Sequence, residues 1–477
     1  MVMSSNGWLI GIDIGTSRIK AGAIDTGGIE HFFVDAPTPW MQVPTGAELD
    51  PYQLLDAVLG VLSEITDRLS SVPNEDVVAL GITGIAETVV YLDCKDNPIM
   101  RSIAWHDSRG EDEAREITDV FGGLFSEKTG LPPSRLCTLA KWRWLRGHFG
   151  QPSSVAKILG IAEWIAYRLG GGQVAELSLA SRSGMLDVTV GEWWEDVLEW
   201  GDISLRVMPE LVTAGTAIGN FDGGRYAKYG LSRLDGAVLT IGGHDHSCGA
   251  VGAGVIDDNE VFDSCGTAEA LIRATREMPD RDAIEVALDG HVTVGRHALP
   301  DRFVLLGAQR AGLVLGRILK LIGYGTEYIG SDRMSSLERD ALDELDDIGE
   351  LKILNAESNL ASITGIGWDA TPVHIWRAAV STVTNRMYEL LNTISEIGGP
   401  IDRIAVSGGW SRSLALRAAK EKVAGSAITV DYLDVEEPGI RGAALFAGCA
   451  ASVFDDISNA PRPASVSPSA RDNLSKR

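Results

Sequence analysis

The stretch of sequence that decides the fold lies near the N-terminus and reads Trp8-Leu-Ile-Gly-Ile-Asp-Ile-Gly-Thr-Ser-Arg-Ile-Lys-Ala-Gly-Ala-Ile-Asp25. Two apolar runs flank a Gly-Thr-Ser sequence, which is the pattern of two strands joined by a tight turn. Such a turn offers backbone N–H groups and hydroxyls to phosphate oxygens. Asp13 ends the first run and could hold Mg²⁺ through water, while Lys20 adds a positive charge. The alternative interpretation is an ordinary hairpin with a surface acid.

Two further small-residue turns repeat this arrangement in the second half of the chain. The sequence Asp263-Ser-Cys-Gly-Thr-Ala-Glu-Ala270 places Gly266 and Thr267 directly after an apolar run, where the backbone can approach phosphates closely. The sequence Val406-Ser-Gly-Gly-Trp-Ser-Arg-Ser413 opens a helix, and its glycines let adenine and ribose lie against the backbone. Each turn alone is a weak signal. Their order and spacing together predict a polyphosphate that is clamped from two sides.

A candidate general base lies between these turns, in Ile241-Gly-Gly-His-Asp-His-Ser-Cys-Gly-Ala250. Asp245 follows an apolar strand, and a carboxylate at such a position in a cleft can accept a hydroxyl proton as an alcohol attacks a γ-phosphate. His244 and His246 share a face of an extended segment, so a His-x-His metal pair is a rival interpretation, although no further ligand cluster accompanies it. Packing of both histidines in the turn is the third interpretation.

Length and charge restrict the class of protein. At 477 residues the chain exceeds the size of one hydrophobic core, so two domains are expected. The net charge of −24 disfavours nucleic acid and anionic membrane surfaces as partners, and a phosphate site must therefore use backbone N–H groups, a few cations and a metal ion. The five cysteines form no Cys-x-x-Cys pair. Neither a signal peptide nor an apolar run of membrane-spanning length is seen, so we expect a cytoplasmic protein.

The order of predicted elements indicates an α/β architecture in two units. Helical periodicity spans residues 51–70, and strands are expected at 77–83, 238–241 and 261–264. Helices rich in tryptophan are expected in the middle region and should pack on the first unit. The predicted domain limits are 1–248 for the acceptor-binding domain and 249–455 for the nucleotide-binding domain. Residues 456–477 carry few large apolar side chains and are expected to be a disordered tail.

These motifs together resemble the FGGY family of carbohydrate kinases over residues 8–450. Three further stretches support the resemblance: Gly81-Ile-Thr-Gly-Ile-Ala-Glu-Thr-Val-Val-Tyr-Leu-Asp93, Ile103-Ala-Trp-His-Asp-Ser-Arg109 and Leu179-Ala-Ser-Arg-Ser-Gly-Met-Leu-Asp187. The resemblance implies two actin-like (ribonuclease H-like) ATPase domains, with substrate and ATP meeting in the cleft between them. It also implies ATP and Mg²⁺ as cofactors and a small sugar or polyol as the phosphate acceptor.

The resemblance implies roles for individual residues as well. The implied catalytic base is Asp245, and the implied Mg²⁺ ligand is Asp13, acting through water. The implied acceptor-binding residues are Glu87, Trp105, Asp107 and His246. The implied ATP-binding residues are Asp13, Gly15, Thr16, Ser17, Lys20, Gly266, Thr267, Gly408, Gly409 and Ser413. For Trp105 the structural alternative is packing, and for Asp107 it is a surface ion pair with Arg109.

The acceptor itself is left open by the sequence. Ala86 and Leu136 stand where glycerol kinases carry Arg and Tyr, so glycerol is expected to be a poor substrate. The expected acceptors are ketopentoses, tetritols, pentitols and deoxysugars. A catalytically silent actin-like protein that binds nucleotide or sugar is the alternative function. A dinucleotide-dependent dehydrogenase is disfavoured because the first turn lacks Gly-x-Gly-x-x-Gly. The oligomeric state stays open, with a homodimer among the options.

Overall fold

The structure, a computed structural model, describes residues 7–72, 76–149, 155–325, 331–343 and 348–464. These residues form both strands and helices, which confirms the predicted α/β class. In chain order the strands are β1 Gly7–Ile14, β2 Arg18–Asp25, β3 Glu30–Pro37, β4 Trp40–Val43, β5 Gly46–Leu49, β6 Asp76–Gly84, β7 Val89–Leu92, β8 Ser102–Ile103, β9 Lys157–Gly160, β10 Val174–Glu176, β11 Leu186–Asp187, β12 Glu192–Trp193, β13 Glu210–Val212, β14 Gly219–Asn220, β15 Val238–His244, β16 Glu260–Cys265, β17 Glu269–Thr275, β18 Val292–Arg296, β19 Phe303–Gln309, β20 Lys352–Leu354, β21 Ser362–Thr364, β22 Arg403–Ser407 and β23 Thr429–Tyr432.

In chain order the helices are α1 Pro51–Leu69, α2 Glu111–Phe121, α3 Gly123–Thr129, α4 Thr138–Phe149, α5 Ile161–Leu169, α6 Leu177–Ala180, α7 Glu195–Gly201, α8 Asp245–Gly252, α9 Arg281–Asp289, α10 Ala311–Leu321, α11 Asp332–Asp343, α12 Pro372–Gly398, α13 Leu414–Ala424 and α14 Pro438–Ala450. Helix α1 begins and ends close to the predicted positions, 51 and 70. It shows why the prediction works locally. Asp50 caps its N-terminus by accepting from the Tyr52 N–H, Pro51 occupies the first turn, and one apolar face is buried.

Two six-stranded sheets organise the chain, and both contain the same arrangement of five strands. The first sheet has the order β14-β15-β6-β1-β2-β3, and the second has β18-β19-β17-β16-β22-β23. Each sheet contains an antiparallel hairpin, β1–β2 or β16–β17. On its other side, the first strand of this hairpin is flanked by two parallel strands, which are β6 and β15 in the first sheet and β22 and β23 in the second. The fold is therefore duplicated, and the predicted phosphate turns occupy equivalent hairpins of the two halves.

The helices of the middle region pack on the first half, as predicted. Trp164 of α5 is completely buried in the core of the first sheet. Trp142 and Trp194 belong to a separate apolar cluster with Phe125 and Tyr91, which joins α2, α3, α4 and α7. The aromatic side chains of this region therefore build a second layer beside the sheet that carries the first turn.

Helices α8 and α14 cross between the two halves. The predicted domain boundary at 248/249 lies inside α8, which starts at the end of β15 and packs against β16 and β17. Helix α14 belongs to the predicted second domain but packs against β1, β6 and β15 of the first sheet. A Cβ added at Gly11 or Gly81 would lie 1.9 Å from a carbonyl oxygen of α14, so these glycines permit the close approach. The last helix of the second half thus covers the first sheet.

The beginning of the predicted disordered tail is ordered. Residues 457–459 form a 3-10 turn, Ile457 is buried, and the Pro461 carbonyl accepts from the Arg441 guanidinium at 2.6 Å. The prediction fails for these residues because their few apolar side chains fit against α14. Residues 465–477 lie outside the described part of the chain. Among the residues that the structure describes, no helix combines the length and apolar character needed to cross a membrane.

Candidate active site

The first turn, between β1 and β2, is anchored through its carbonyl groups. The Gly15 carbonyl accepts from the Thr38 hydroxyl at 2.8 Å, and the Thr16 carbonyl accepts from the Trp40 indole at 2.6 Å. In a trans peptide the N–H of the next residue points opposite to the carbonyl. The N–H groups of Thr16 and Ser17 therefore point away from these anchors, and N–H groups of a turn of this kind can bind an anion. Ser17 is exposed.

Lys20 has a different partner from the predicted phosphate. Its Nζ donates to Glu437 Oε2 at 2.6 Å, and both side chains are partly exposed. Glu437 directly precedes α14, so this ion pair joins β2 to the crossing helix. The prediction of Lys20 as a phosphate ligand overlooked this acid because Glu437 is 417 positions away in sequence. The ion pair partly neutralises the charge that Lys20 would offer to a phosphate.

Asp13 and Asp245 are two carboxyl groups that are close enough to influence each other. Burial raises the pKa of Asp13 to about 7, with a further increase from the Asp245 charge. Burial also raises the pKa of Asp245 to about 7. Asp13 Oδ1 is buried and has no hydrogen-bond partner among the described residues. A hard cation with oxygen ligands satisfies such an oxygen and relieves the repulsion, so these residues fit Mg²⁺.

The local backbone holds Asp245 in place. It is the first residue of α8, and its Oδ1 accepts from the His246 N–H at 2.7 Å and lies 3.2 Å from His244 Nε2. The strand end before it is fixed, because the Thr83 hydroxyl donates to the Gly243 carbonyl at 2.6 Å and the His244 N–H donates to the Ser178 hydroxyl at 2.8 Å. Both contacts to the carboxylate involve Oδ1.

Glu87 is the first of the residues predicted to bind the acceptor, and these residues form the predicted acceptor side of the site. The backbone of Glu87 has φ 60°, a conformation that non-glycine residues rarely adopt and that often occurs at functional sites. Glu87 Oε1 accepts from Arg182 Nε at 3.0 Å, and the Arg182 guanidinium also donates to the Thr293 hydroxyl at 3.0 Å. Glu87 and Arg182 both act on the pKa of Asp245, the first raising it and the second lowering it. The pair therefore lies beside the candidate base.

His246 completes this group as a neutral side chain. Burial, together with the nearby Arg182, lowers its pKa to about 4. The pKa of His244 is also well below its usual range, because it is buried near His246 and Arg182. The two rings meet edge to face with centroids 5.2 Å apart. In the described part of the chain, three clustered metal-ligand atoms occur only at Asp263, Cys265 and Glu269, so the alternative of a histidine metal pair finds no third ligand.

Trp105 and Asp107 have unequal positions in the site. Trp105 is partly buried, and its indole N–H donates to the Thr16 hydroxyl at 3.1 Å, which links the acceptor side to the first turn. Asp107 is fully buried, and its oxygens accept from Arg109 and from Thr45 and Ala47. The prediction of Asp107 as an acceptor ligand is wrong in this structure. The ion pair with Arg109 is buried, and both oxygens of the carboxylate accept hydrogen bonds from protein groups.

The second turn, residues 266–268, lies beside residues 406–413 in the second half. Residues 406–413 are predicted to approach the nucleoside and are called the nucleoside segment below. Thr267 and Gly409 are exposed, and Gly266 and Gly408 are partly buried beside them. Ser413 differs, because it is completely buried. Its hydroxyl donates to Glu338 at 2.8 Å and caps α13 by accepting from the Leu416 N–H. The prediction that Ser413 approaches the nucleoside is therefore wrong, and Ser413 is a helix cap.

Sequence reasoning missed two residues. Arg182 lies in a stretch that was recognised, 179–187, but only the fold brings its guanidinium to Glu87 and Asp245. Lys420 lies inside α13 and reaches the strands that flank the second turn. Inside a helical segment, a buried lysine or arginine has the same sequence pattern as one on the surface, so the sequence does not distinguish the two.

Comparison with known proteins defines the family. The family model for "FGGY family of carbohydrate kinases, N-terminal domain" matches residues 8–252, and the C-terminal domain model matches residues 341–451. The chain belongs to the FGGY family of carbohydrate kinases. FGGY kinases consist of two actin-like, ribonuclease H-like domains, which accounts for the duplicated sheets. The chain is thus a phosphotransferase that uses ATP to phosphorylate a sugar or polyol.

Individual FGGY relatives are distant but cover most of the chain. A xylulose kinase of Bacillus subtilis (strain 168) is 24% identical over 465 residues, which are 94% of this chain and 89% of the relative. The solved structure of a gluconate kinase from Lactobacillus acidophilus has TM-score 0.84 and 18% identity, covering 99% of this chain and 96% of that one. A xylulose kinase structure from Rhodospirillum rubrum has TM-score 0.81 and 22% identity, covering 98% and 97%. These likenesses support the fold.

Proposed function

We propose that this chain phosphorylates a hydroxyl of a neutral ketopentose, tetritol, pentitol or deoxysugar, with Asp245 as the general base. The observation that carries the proposal is the position of Asp245 at the start of α8, beside the Glu87–Arg182 pair and within electrostatic reach of Asp13. In the proposal, Asp245 is the base, Glu87 and Arg182 are the acceptor-binding pair, and Asp13 is the metal-binding carboxylate. These are the parts that in-line phosphoryl transfer needs.

The charges around Asp245 favour a neutral acceptor. Arg182 is the cation that acts on Asp245, and it is already paired with Glu87. A carboxylate on the acceptor that bound Arg182 would lie beside Glu87 and near Asp245, where like charges repel. Hydroxyl groups can instead donate to Glu87 and accept from Arg182 without breaking the pair. This argument separates the proposed acceptors from an acid such as gluconate.

The residues of the chain divide the work as follows. Oδ2 of Asp245 takes the proton of the attacking hydroxyl, since Oδ1 already accepts from His246. The N–H groups of Thr16 and Ser17 and the second turn at Gly266 and Thr267 bind phosphate oxygens. Mg²⁺, when bound near Asp13, neutralises charge on the phosphates. Gly408 and Gly409 approach the nucleoside. Closure of the cleft excludes water, which would otherwise compete as acceptor.

The first test is ADP release in a coupled assay with ATP, Mg²⁺ and an acceptor panel. The panel contains ketopentoses, tetritols, pentitols, deoxysugars, glycerol and gluconate. We expect a neutral acceptor with several hydroxyls to stimulate ADP release, excess chelator to abolish it, and glycerol and gluconate to be poor. Equal efficiency for gluconate or glycerol and the best sugar would refute the acceptor class. Nucleotide binding without stimulation by any acceptor would favour the catalytically silent alternative.

The pH dependence tests the role of Asp245 separately. Only the carboxylate accepts a proton, and burial raises the pKa of Asp245 to about 7. The fraction of enzyme in which Asp245 is deprotonated therefore falls by about tenfold for each pH unit below that pKa. We expect log kcat/KM for the acceptor to rise with slope near one and level off near neutral pH. A profile that stays flat down to pH ~5 would exclude a base of this pKa.

A further inference from the structure

The second turn rests on a buried cluster of charged side chains, which consists of Lys420, Asp263, Glu269 and Cys265. All four are nearly inaccessible, with exposed fractions of 3%, 0%, 2% and 1%. Lys420 Nζ donates to Asp263 Oδ2 and to Glu269 Oε1, and it lies 3.6 Å from Cys265 Sγ. A lysine ammonium has three N–H donors, and here three acceptors surround it. Its hydrogen-bonding capacity is therefore used within the cluster.

The cluster holds both sides of the turn. Asp263 and Cys265 lie at the end of β16, and Glu269 is the first residue of β17, so the turn at residues 266–268 is enclosed between residues that contact Lys420. The other oxygen of Glu269 is held by the Gln309 amide, which also donates to the Val383 carbonyl at 2.8 Å. The two strand ends are thereby fixed to α13 on one side and to β19 and α12 on the other.

The nucleoside segment and α10 contact the same turn. A Cβ at Gly408 would lie 2.6 Å from the Cys265 carbonyl oxygen, so the backbone of the segment touches the end of β16. The Leu313 N–H of α10 donates to the Thr267 carbonyl at 3.1 Å. Lys420 belongs to α13, the helix that follows the nucleoside segment. One buried ammonium thus connects the turn to the helix that carries this segment.

Neither a metal site nor stability alone explains the cluster. The ligand atoms of Asp263, Cys265 and Glu269 lie close enough for a metal, but the Lys420 ammonium already supplies the cation among them. Buried ion pairs contribute little net stability compared with apolar side chains of similar volume. Here two carboxylates share one ammonium, and burial raises the pKa of Asp263 to about 7. The arrangement gives geometric definition to the turn.

We propose that Lys420 is a positioning residue for the nucleotide: it fixes the second turn, through Asp263 and Glu269, in the geometry that binds the ATP phosphates. The proposal rests on the placement of the nucleotide proposed above, but it does not depend on the acceptor. Phosphate binding by backbone groups requires their positions to be accurate to a fraction of an ångström. The loss of Lys420 is therefore expected to weaken nucleotide binding more than it changes any other function of the folded chain.

The test is the Kd of Mg-ADP, measured by calorimetry without acceptor on folded protein well below its melting temperature. Lys420→Met is expected to raise this Kd by roughly 10- to 100-fold, because small displacements of binding groups have effects of that size. Arg273→Met is the matched control. Arg273 is likewise a buried cation, in β17, and among the described residues its guanidinium donates to the carbonyls of Asp258, Gly398, Gly399 and Pro400. The Kd of Mg-ADP for the Arg273→Met variant should stay within about twofold of the wild-type value.

Two more variants separate the possible outcomes. Lys420→Gln keeps one amide donor and replaces Lys420→Met if that variant does not fold, with the same expected direction. Gly266→Val places a side chain on the turn itself, where the backbone would approach the phosphates, and the added Cβ fits the folded chain because its nearest neighbour is the Ala268 carbonyl oxygen at 3.5 Å. A normal Kd in the Lys420 variants with a weakened Gly266→Val would overturn the positioning role and leave the nucleotide placement intact. A normal Kd in all of them would overturn the placement, and the role of Lys420 with it.

Discussion

Asp245→Asn is expected to lower kcat by about 10²–10⁴-fold, the usual contribution of a general base. Asparagine keeps the size of the side chain, and its Oδ1 can still accept from the His246 N–H, which lies 2.7 Å from the carboxylate in the native chain. What it loses is the oxygen that takes the proton of the acceptor hydroxyl. The Kd values of acceptor and ATP should therefore stay near those of the wild type, since the lost interaction forms only in the transition state.

Thermal stability on the same preparation provides the control for this variant. If Asp245 were only a helix-capping residue at the start of α8, the substitution would lower the melting temperature and leave turnover per folded molecule nearly intact. A variant that keeps more than about half of the wild-type kcat would remove Asp245 from the mechanism.

Arg182→Met is expected to lower kcat/KM for the acceptor by about 10- to 100-fold. Hydrogen bonds to charged groups contribute about 1.5–3 kcal/mol, which corresponds to an effect of that size. The substitution leaves Glu87 without its guanidinium partner, and it also removes the cation that lowers the pKa of Asp245. The acidic limb of the pH profile should therefore move to higher pH, so that less of the base is deprotonated at neutral pH.

Arg182→Lys is the matched variant for this prediction. Lysine keeps the positive charge but loses the planar fork that bridges Glu87 and Thr293. It should restore the position of the pH limb and only part of the acceptor affinity. If Arg182→Met left both the acceptor KM and the position of the acidic limb of the pH profile unchanged, Arg182 would serve only the contact between the two halves of the chain.

The local patterns of the sequence are sufficient to predict several of the elements, the first hairpin and the turn of the second. The helix at 51–69 carries its own cap and apolar face, and each phosphate turn is defined by a short run of small residues after a strand. These features depend on residues close in sequence. The repetition of such a turn in the second half is also visible in the sequence, and the structure places the two turns in equivalent hairpins of duplicated sheets. The exact limits of the domains could not be predicted, because no local pattern shows that α8 and α14 cross between the two halves.

The partners of individual side chains were harder to predict. Lys20, Asp107 and Ser413 were all assigned to ligands, yet each has a protein partner: Glu437, Arg109 and Glu338. A polar side chain near a phosphate turn has the same sequence signature whether it binds a ligand or another residue. The choice depends on contacts between distant segments, such as Ser413 with Glu338, 75 positions away. The same reason explains why Arg182 and Lys420 were missed.

The most direct test of the account follows the γ-phosphate itself. Wild type and Asp245→Asn are incubated with γ-labelled ATP, Mg²⁺ and the best neutral acceptor of the panel, and labelled acceptor and ADP are quantified together. The account predicts one labelled acceptor phosphate per ADP with the wild type. It also predicts that product formation falls by about 10²–10⁴-fold in the variant although both substrates still bind. Release of ADP without labelled acceptor, or equal product from both proteins, would contradict it.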